Sequence, residues 1–122
     1  MKTSHLTLAE KLREPGTTRL SVPAFCKLLG LQEQDLAEVA GVDVETLRTH
    51  PESVQLQGAL RNLLRLLSVA VTVEPDLLRS ATFIKGHPIS TFSNKTLMQL
   101  VKEGRTDDAV GYLGSISAGH LG

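Results

Sequence analysis

The stretch between residues 55 and 73 constrains the fold most, because its apolar side chains have the spacing of one helical face. Leucine, alanine and valine recur there every three or four residues, and polar residues occupy the other side. The repeat is too short for a coiled-coil seam, so we interpret this stretch as a core helix. The predicted apolar face is Leu56, Leu60, Leu63, Leu64, Leu67, Ala70 and Val71, opposite a polar stripe of Arg61, Arg65, Ser68 and Thr72.

Capping residues and helix breakers divide the remaining chain into short helices. Ser21 and Asp43 are good N-caps, whereas Gly30, Gly41 and Pro51 mark helix ends. Strand-type alternation is absent, so we expect an all-α fold. The predicted helices cover residues 22–29, 33–40, 44–49, 55–73, 77–85 and 97–104, and Thr96 and Gln99 form a capping box at the start of the sixth. A last helix is predicted to begin at its cap Thr106 and to end at Gly119. Its predicted core positions are Ala109, Val110, Leu113 and Ile116.

The breaks between these helices predict three parts. Residues 1–19 are polar and contain the Pro15-Gly16 breaker, which favours an arm or a loosely attached short helix. Residues 20–73 form a helical bundle with the long helix at its end. The Glu74-Pro75-Asp76 break then begins a small C-terminal helical domain, residues 74–122.

Composition excludes several classes of protein. The chain has 13 basic and 13 acidic residues, so it lacks the bulk charge of a nucleic-acid coat protein or a polybasic membrane binder. A single cysteine, Cys26, excludes an internal disulfide and a cysteine-based metal cluster. The first twenty residues do not resemble a signal peptide, and no apolar run is long enough to span a bilayer. We therefore expect a cytoplasmic protein without a membrane partner.

Catalytic and metal-binding patterns are also missing. The four histidines are widely spaced, without an HExxH pair, and no P-loop, GxSxG or GxGxxG motif is present. Cys26 lies beside Phe25 and Leu28, which favours a buried structural thiol, and Asp107-Asp108 is explained as helix N-terminal charge. We expect no enzyme, no cofactor and no metal.

Residues 36–48 have the pattern of a helix-turn-helix. Ala37 is small enough for close helix approach, Gly41 permits positive φ in the turn, and Leu47 packs the second helix onto the first. The residues expected to face a DNA major groove are Asp43, Glu45, Thr46, Arg48 and Thr49.

The charge around this motif argues against tight DNA binding. Residues 21–50 contain two basic and five acidic side chains, a net charge of −3, which repels phosphates. Basic residues of the arm or dimerisation would compensate. Two interpretations stay open: weak binding to an operator, and a motif kept as a scaffold or dimer module.

The C-terminal third, combined with the upstream helix-turn-helix, resembles a known family. The stretches FIKGHPI (83–89), FSNKTL (92–97), LVKEGR (100–105), DDAV (107–110) and Tyr112-Leu113 look like the Xre/MbcA/ParS toxin-binding domain, and the resemblance covers roughly residues 20 to 119. The chain departs from the usual pattern at two places. Phe83 lies where many members carry a tryptophan, and Leu97 stands where many have a proline after the turn.

The resemblance implies an antitoxin of a type II toxin–antitoxin system. It would bind a RES-domain toxin that consumes NAD and block the entrance to the active site of that toxin. The resemblance also implies a homodimer and allows regulation of its own operon through the helix-turn-helix. On this chain the implied toxin-binding residues are Arg105, Tyr112, Ser115, Ser117, His120 and the carboxylate of Gly122.

Two other functions fit the same sequence. One is a free-standing Xre-like transcriptional regulator that binds operator DNA and whose C-terminal domain only dimerises or senses a partner. The other is a helical adaptor with no role at DNA.

Overall fold

The computed structural model describes residues 7–117, and every regular element in this range is helical. Two isolated antiparallel bridges, Arg13 with Leu20 and Ile89 with Lys95, are the only strand-like pairings there. The expected all-α fold is therefore confirmed. The helices are α1 (Leu8–Lys11), α2 (Val22–Leu29), α3 (Glu33–Ala40), α4 (Val44–Thr49), α5 (Val54–Val73), α6 (Leu77–Gly86), α7 (Leu97–Lys102) and α8 (Thr106–Ser117), with a 3₁₀ turn at Ser90–Phe92.

Most helices begin at the predicted caps. The side chains of Ser21, Asp43 and Thr96 each accept a hydrogen bond from the backbone N–H three residues on, and Thr96 forms the predicted capping box with Gln99. The long helix starts slightly earlier than predicted, because Ser53 caps it.

The predicted cap of the last helix is wrong. Helix α8 begins at Thr106 itself, and the carbonyl of Arg105 accepts the N–H of Ala109 in the cap position. The Thr106 hydroxyl is buried and has no hydrogen-bond partner within the described range. Its side chain therefore fills space in the core instead of capping the helix.

Helix α5 lies at the centre of the core. It contacts α1, α3, α6, α7 and α8, and its predicted polar stripe is exposed. Because other helices pack on several sides of α5, its buried face is wider than the predicted apolar face and is rotated about the helix axis relative to it. Leu66, which was not predicted, is fully buried, whereas the predicted Leu64 and Val71 are only half-buried. The buried α5 side chains are Leu56, Gln57, Leu60, Leu63, Leu66, Leu67 and Ala70.

The helices on both sides of the Glu74-Pro75 break share one hydrophobic core. Helix α2 packs against α6, and α3 packs against α7. The break itself is fixed by Ser80, whose hydroxyl donates to the Glu74 carbonyl at 2.7 Å. Although α5 has 20 residues, no helix among residues 7–117 is both long and apolar enough to cross a membrane.

The N-terminal segment is attached more firmly than its breaker residues predict. After the short helix α1, Leu12 is only 2% exposed, and the Ser21 N–H donates to its carbonyl at 2.7 Å. The buried amide of Gln57 on α5 accepts from the Leu20 N–H at 2.9 Å and donates to the Leu20 carbonyl at 3.1 Å and the Pro51 carbonyl at 2.8 Å. One side chain thus ties two loops to the central helix.

We expect Gln57→Leu to lower the free energy of unfolding by about 2–3 kcal/mol, because it leaves the buried backbone groups of Leu20 without partners. Gln55→Leu is the matched control on the same helix. Gln55 also donates to two backbone carbonyls, but it is exposed and water can replace it, so its loss should cost less than about 1 kcal/mol. Urea denaturation measures both, and equal losses would contradict the assigned role of Gln57.

Candidate partner-binding and helix-turn-helix surfaces

Two aromatic rings and a guanidinium form a cluster on the surface of the C-terminal third. The Arg105 guanidinium carbon lies 5.4 Å from the centre of the Phe92 ring, within cation–π range. The Tyr112 ring meets Phe92 edge-on, at 6.2 Å between centroids and 71° between planes. Phe92, Arg105 and Tyr112 are all half-exposed, so the cluster presents apolar area and a positive charge together.

The loop before α7 positions Phe92. The backbone closes on itself through the Ile89 N–H to the Lys95 carbonyl at 3.0 Å and the Asn94 N–H to the Ile89 carbonyl at 2.9 Å. Ser93 and Asn94 both have positive φ, at 59° and 66°, which non-glycine residues adopt only where the surroundings hold them. An ion pair of 2.7 Å between Lys95 and Glu103 joins the loop to the end of α7.

Helix α8 supplies the other two members of the cluster. Arg105 directly precedes its first turn, and its Nε donates to Asp108 at 2.9 Å, with Glu103 at 3.8 Å on the other side. Tyr112 follows seven residues later, so both lie on one side of the helix. The two carboxylates fix the guanidinium over Phe92 while leaving it partly open to solvent.

The structure brings together two of the six predicted toxin-binding residues, Arg105 and Tyr112. Ser115 is exposed one turn further on, but its hydroxyl donates to the Tyr112 carbonyl at 2.9 Å. Ser117 is the last residue of α8. The predictions for His120 and Gly122 fall outside the described residues.

Sequence reasoning missed Phe92 as a site residue. The signal for it is an aromatic side chain in the otherwise polar loop Ser-Thr-Phe-Ser-Asn (90–94), where no helical face offers a place in the core. Phe83, which lies where the resembling family often has tryptophan, instead stacks on His87 at 4.5 Å with 16° between the rings.

Two short helices joined by a tight turn occupy the stretch in which the sequence predicts a helix-turn-helix. Helices α3 and α4 are separated by three residues, and Gly41 has a φ of 72° in the turn. The Val42 N–H donates to the Ala37 carbonyl at 3.0 Å, which satisfies the end of α3. Ala37 and Leu47 are each 2% exposed, so the small residue and the leucine pack the two helices together as expected.

The predicted DNA-facing residues lie at the surface, but the side chains of two of them bond within α4 and its cap, and a third is paired with α3. Asp43, Glu45, Arg48 and Thr49 are exposed and Thr46 is half-exposed. The Asp43 carboxylate accepts the Thr46 N–H at 2.7 Å, and the Thr49 hydroxyl donates to the Glu45 carbonyl at 2.7 Å. Arg48 donates to Glu33 at 2.8 Å, an exposed pair that is weak enough to exchange for another anion.

The thiol of Cys26 on α2 is free and only partly buried, whereas the sequence predicts a buried one. Burial, followed by the nearby carboxylates of Glu33 and Asp35, raises the pKa of the Cys26 thiol, so the nucleophilic thiolate is disfavoured. No set of three or more His, Cys, Asp or Glu side chains in this range is arranged to hold a metal ion.

Comparison of the chain with models of protein families, with curated proteins and with solved structures found no match. The surfaces described above are therefore interpreted from their own chemistry.

The cap at Asp43 predicts a pH-dependent contribution to stability. Hydrogen bonds from Thr46 lower the pKa of this carboxyl in the folded state, so its contribution is present above the ordinary Asp range and disappears as the pH falls through the lowered value. Asn caps helices about as well as Asp but does not ionise. The carboxylate also places a negative charge at the helix N-terminus, which an Asn side chain does not. As the pH falls from 7 to below the ordinary Asp range, the wild type should lose this advantage over Asp43→Asn in denaturant titrations. A constant difference across this range would contradict the assignment.

Proposed function

We propose that this protein is the antitoxin of a type II toxin–antitoxin system and that it binds a RES-domain toxin through its C-terminal third. The observation that carries the proposal is the partly exposed cluster of Phe92, Arg105 and Tyr112. The order of sequence motifs between residues 83 and 113 supports the choice of toxin class, because those motifs resemble the toxin-binding domain.

The cluster has the chemistry of an interface centre. Tyrosine and arginine are enriched among the residues that dominate binding energies, and aromatic rings provide large apolar area with few rotatable bonds. The loop bonds around Phe92 and the Asp108 contact of Arg105 restrict both side chains before a partner arrives. Less side-chain freedom is then lost on binding, which favours affinity.

Neutralisation by this surface needs no chemistry from the antitoxin. A toxin that consumes NAD must admit a large dinucleotide, so a protein seated over the entrance stops turnover by excluding substrate. In this proposal α8 carries the contact, which continues from Tyr112 toward Ser115 and Ser117 on the same helix. The residues of this chain bind the toxin and exclude NAD from its active site, whereas the toxin alone carries out the reaction.

The double variant Phe92→Ala/Tyr112→Ala tests this surface. Loss of two central aromatic side chains should weaken binding to the toxin encoded beside this gene by at least about 100-fold, since such residues contribute about 2 kcal/mol or more each. Titration calorimetry measures the affinity. Cellular NAD and growth during co-expression measure neutralisation.

Thr82→Ala is the matched control, because Thr82 is exposed on α6, outside the cluster, and its hydroxyl donates to the Leu78 carbonyl of its own helix. It should bind and neutralise like the wild type. If the double variant keeps wild-type affinity and still protects NAD, the proposed surface is wrong. If the neighbouring protein neither binds the wild type nor depletes NAD, the antitoxin function itself is wrong.

A free-standing transcriptional regulator is the second candidate, and the helix-turn-helix geometry favours it. The three-residue turn, the buried Leu47 and the exposed side of α4 support this candidate, because a major-groove reader uses such features. Such a regulator, or an antitoxin that also controls its operon, would use Thr46 and Arg48. Arg48 would exchange Glu33 for a phosphate or a base.

For this function we expect Arg48→Ala to weaken binding to the protein's own promoter by about tenfold or more and to change its salt dependence if Arg48 contacts phosphate. Thr46→Ala should reduce the preference for promoter over random DNA. The control is Arg79→Ala, because Arg79 is highly exposed on α6, outside the motif. Fluorescence anisotropy at several salt concentrations measures each. Equal affinity of the wild type for promoter and random DNA would exclude the regulator.

A further inference from the structure

A pocket between α5, α6 and α8 is lined by apolar side chains from all three helices. Its volume is ≈ 340 Å³, which lies within the range of small-molecule sites. The apolar lining consists of Ala70 and Val73 of α5, Phe83 of α6, and Leu113 and Ile116 of α8. Ala70 and Leu113 are only 3% and 1% exposed, so the pocket reaches down to the hydrophobic core.

The buried polar side chain of this pocket already has a hydrogen-bond partner. Ser80 lines the pocket, and its hydroxyl donates to the Glu74 carbonyl at 2.7 Å. The one buried side-chain polar atom without a partner in residues 7–117, Thr106 Oγ1, does not line the pocket. Water therefore finds few hydrogen bonds inside, and a site of this kind favours an apolar ligand over water.

The two charged residues that line the pocket have opposite charges and lie close together. Arg79 is the exposed member of the lining, and its Nη1 is 3.9 Å from the carboxylate of Glu74. The charges of the lining therefore balance, so an ionised ligand would leave water without gaining an unpaired partner, which costs free energy. This arrangement favours an uncharged ligand.

A larger depression of ≈ 550 Å³ shares Arg79 and Phe83 with this pocket, but it encloses a ligand less well. All of its lining residues belong to α6 or to the cap residue His87, and Leu78 among them is 67% exposed. A molecule there would contact one helix and keep much of its surface in water. A molecule between α5, α6 and α8 buries more apolar surface, which favours the smaller pocket as the binding site.

We propose that the pocket between α5, α6 and α8 binds an uncharged aromatic molecule of about two fused rings. The size follows from the volume, because an apolar cavity of about 150 Å³ accommodates one benzene ring, and this pocket has roughly twice that volume. A rigid ring system fits better than an open chain, because it loses less conformational freedom on binding. Phe83 in the wall also offers a ring for an aromatic contact.

Titration calorimetry with 2-naphthol at neutral pH tests the site, because this probe has two fused rings and no charge. The wild type should bind it saturably, in a 1:1 complex. The probe 2-naphthalenesulfonate has the same rings and a permanent negative charge, and it should bind at least about tenfold more weakly, since its charge finds no free partner. In NMR spectra 2-naphthol should show NOEs to the methyl groups of Val73, Leu113 and Ile116.

The variants Val73→Phe and Ile116→Phe fill the pocket from two different helices. Each should lower the affinity for 2-naphthol by at least about tenfold, because the added ring occupies the space of the ligand. Val71→Phe is the matched control, since Val71 is also half-buried on α5 but does not line the pocket, and it should bind like the wild type. Circular dichroism and urea denaturation check that all three variants fold.

Absence of saturable binding, NOEs to Leu78 instead of the three named residues, or unchanged affinity in both filled variants would overturn the proposal. Equal or tighter binding of the sulfonate would show that the ligand class is wrong. If the wild type excludes 2-naphthol but the full-length Leu121→Ser variant binds it, a residue of this chain outside the described range occupies the pocket, and the proposal is also wrong. The site is independent of the antitoxin function, because either can fail while the other is retained.

Discussion

The burial of α5 against five surrounding helices is the constraint on which the rest of the structure depends. With few aromatic residues, the chain builds its core mainly from leucine, alanine and valine, and α5 contributes seven buried side chains to it. Gln57 is the polar one among them, and its amide fixes the loops at Leu20 and Pro51 to the centre. Helices on both sides of residue 74 gain their position by packing on this one helix.

An aliphatic core leaves the aromatic rings for the surface. Of the four aromatic residues, Phe25 is fully buried, whereas Phe83, Phe92 and Tyr112 are half-exposed. Phe92 contacts both the Arg105 guanidinium and the Tyr112 ring of α8. The aliphatic composition of the core is thus linked to the proposed binding surface. Because the core is filled mainly by aliphatic residues, the rings of Phe92 and Tyr112 remain partly accessible to a partner.

Although the net charge of the chain is zero, its acidic and basic side chains are unevenly distributed over the surface. Acidic side chains gather on α3 and α4, and the basic residues Arg61 and Lys102 line a depression between α5 and α7. The acidic side chains oppose tight DNA binding by the predicted helix-turn-helix, because they repel phosphates.

Local features of the fold were predictable because their causes lie within a few residues. Ser21, Asp43 and Thr96 cap helices through bonds three residues long, and Gly41 turns the chain because it alone there adopts positive φ without strain. The same reasoning failed at Thr106, where tertiary packing buries the hydroxyl and Arg105 takes the cap position. The residue type alone predicts a cap at Thr106, but the packing of the helices places its side chain in the core.

The sequence by itself determined the all-α class, the helix bounds to within a residue or two, and the face of α5 that turns inward. Only the tertiary structure decided how wide that face is, because Leu66 is buried by helices distant in sequence. It also decided that Phe92 contacts Arg105 and Tyr112, and that Asp35 and Glu38 of α3 line one depression with Lys85 and Lys102. Phe92 is 13 residues from Arg105, and Lys85 is 47 residues from Glu38, so no helical periodicity relates them. Their meeting depends on how the helices pack.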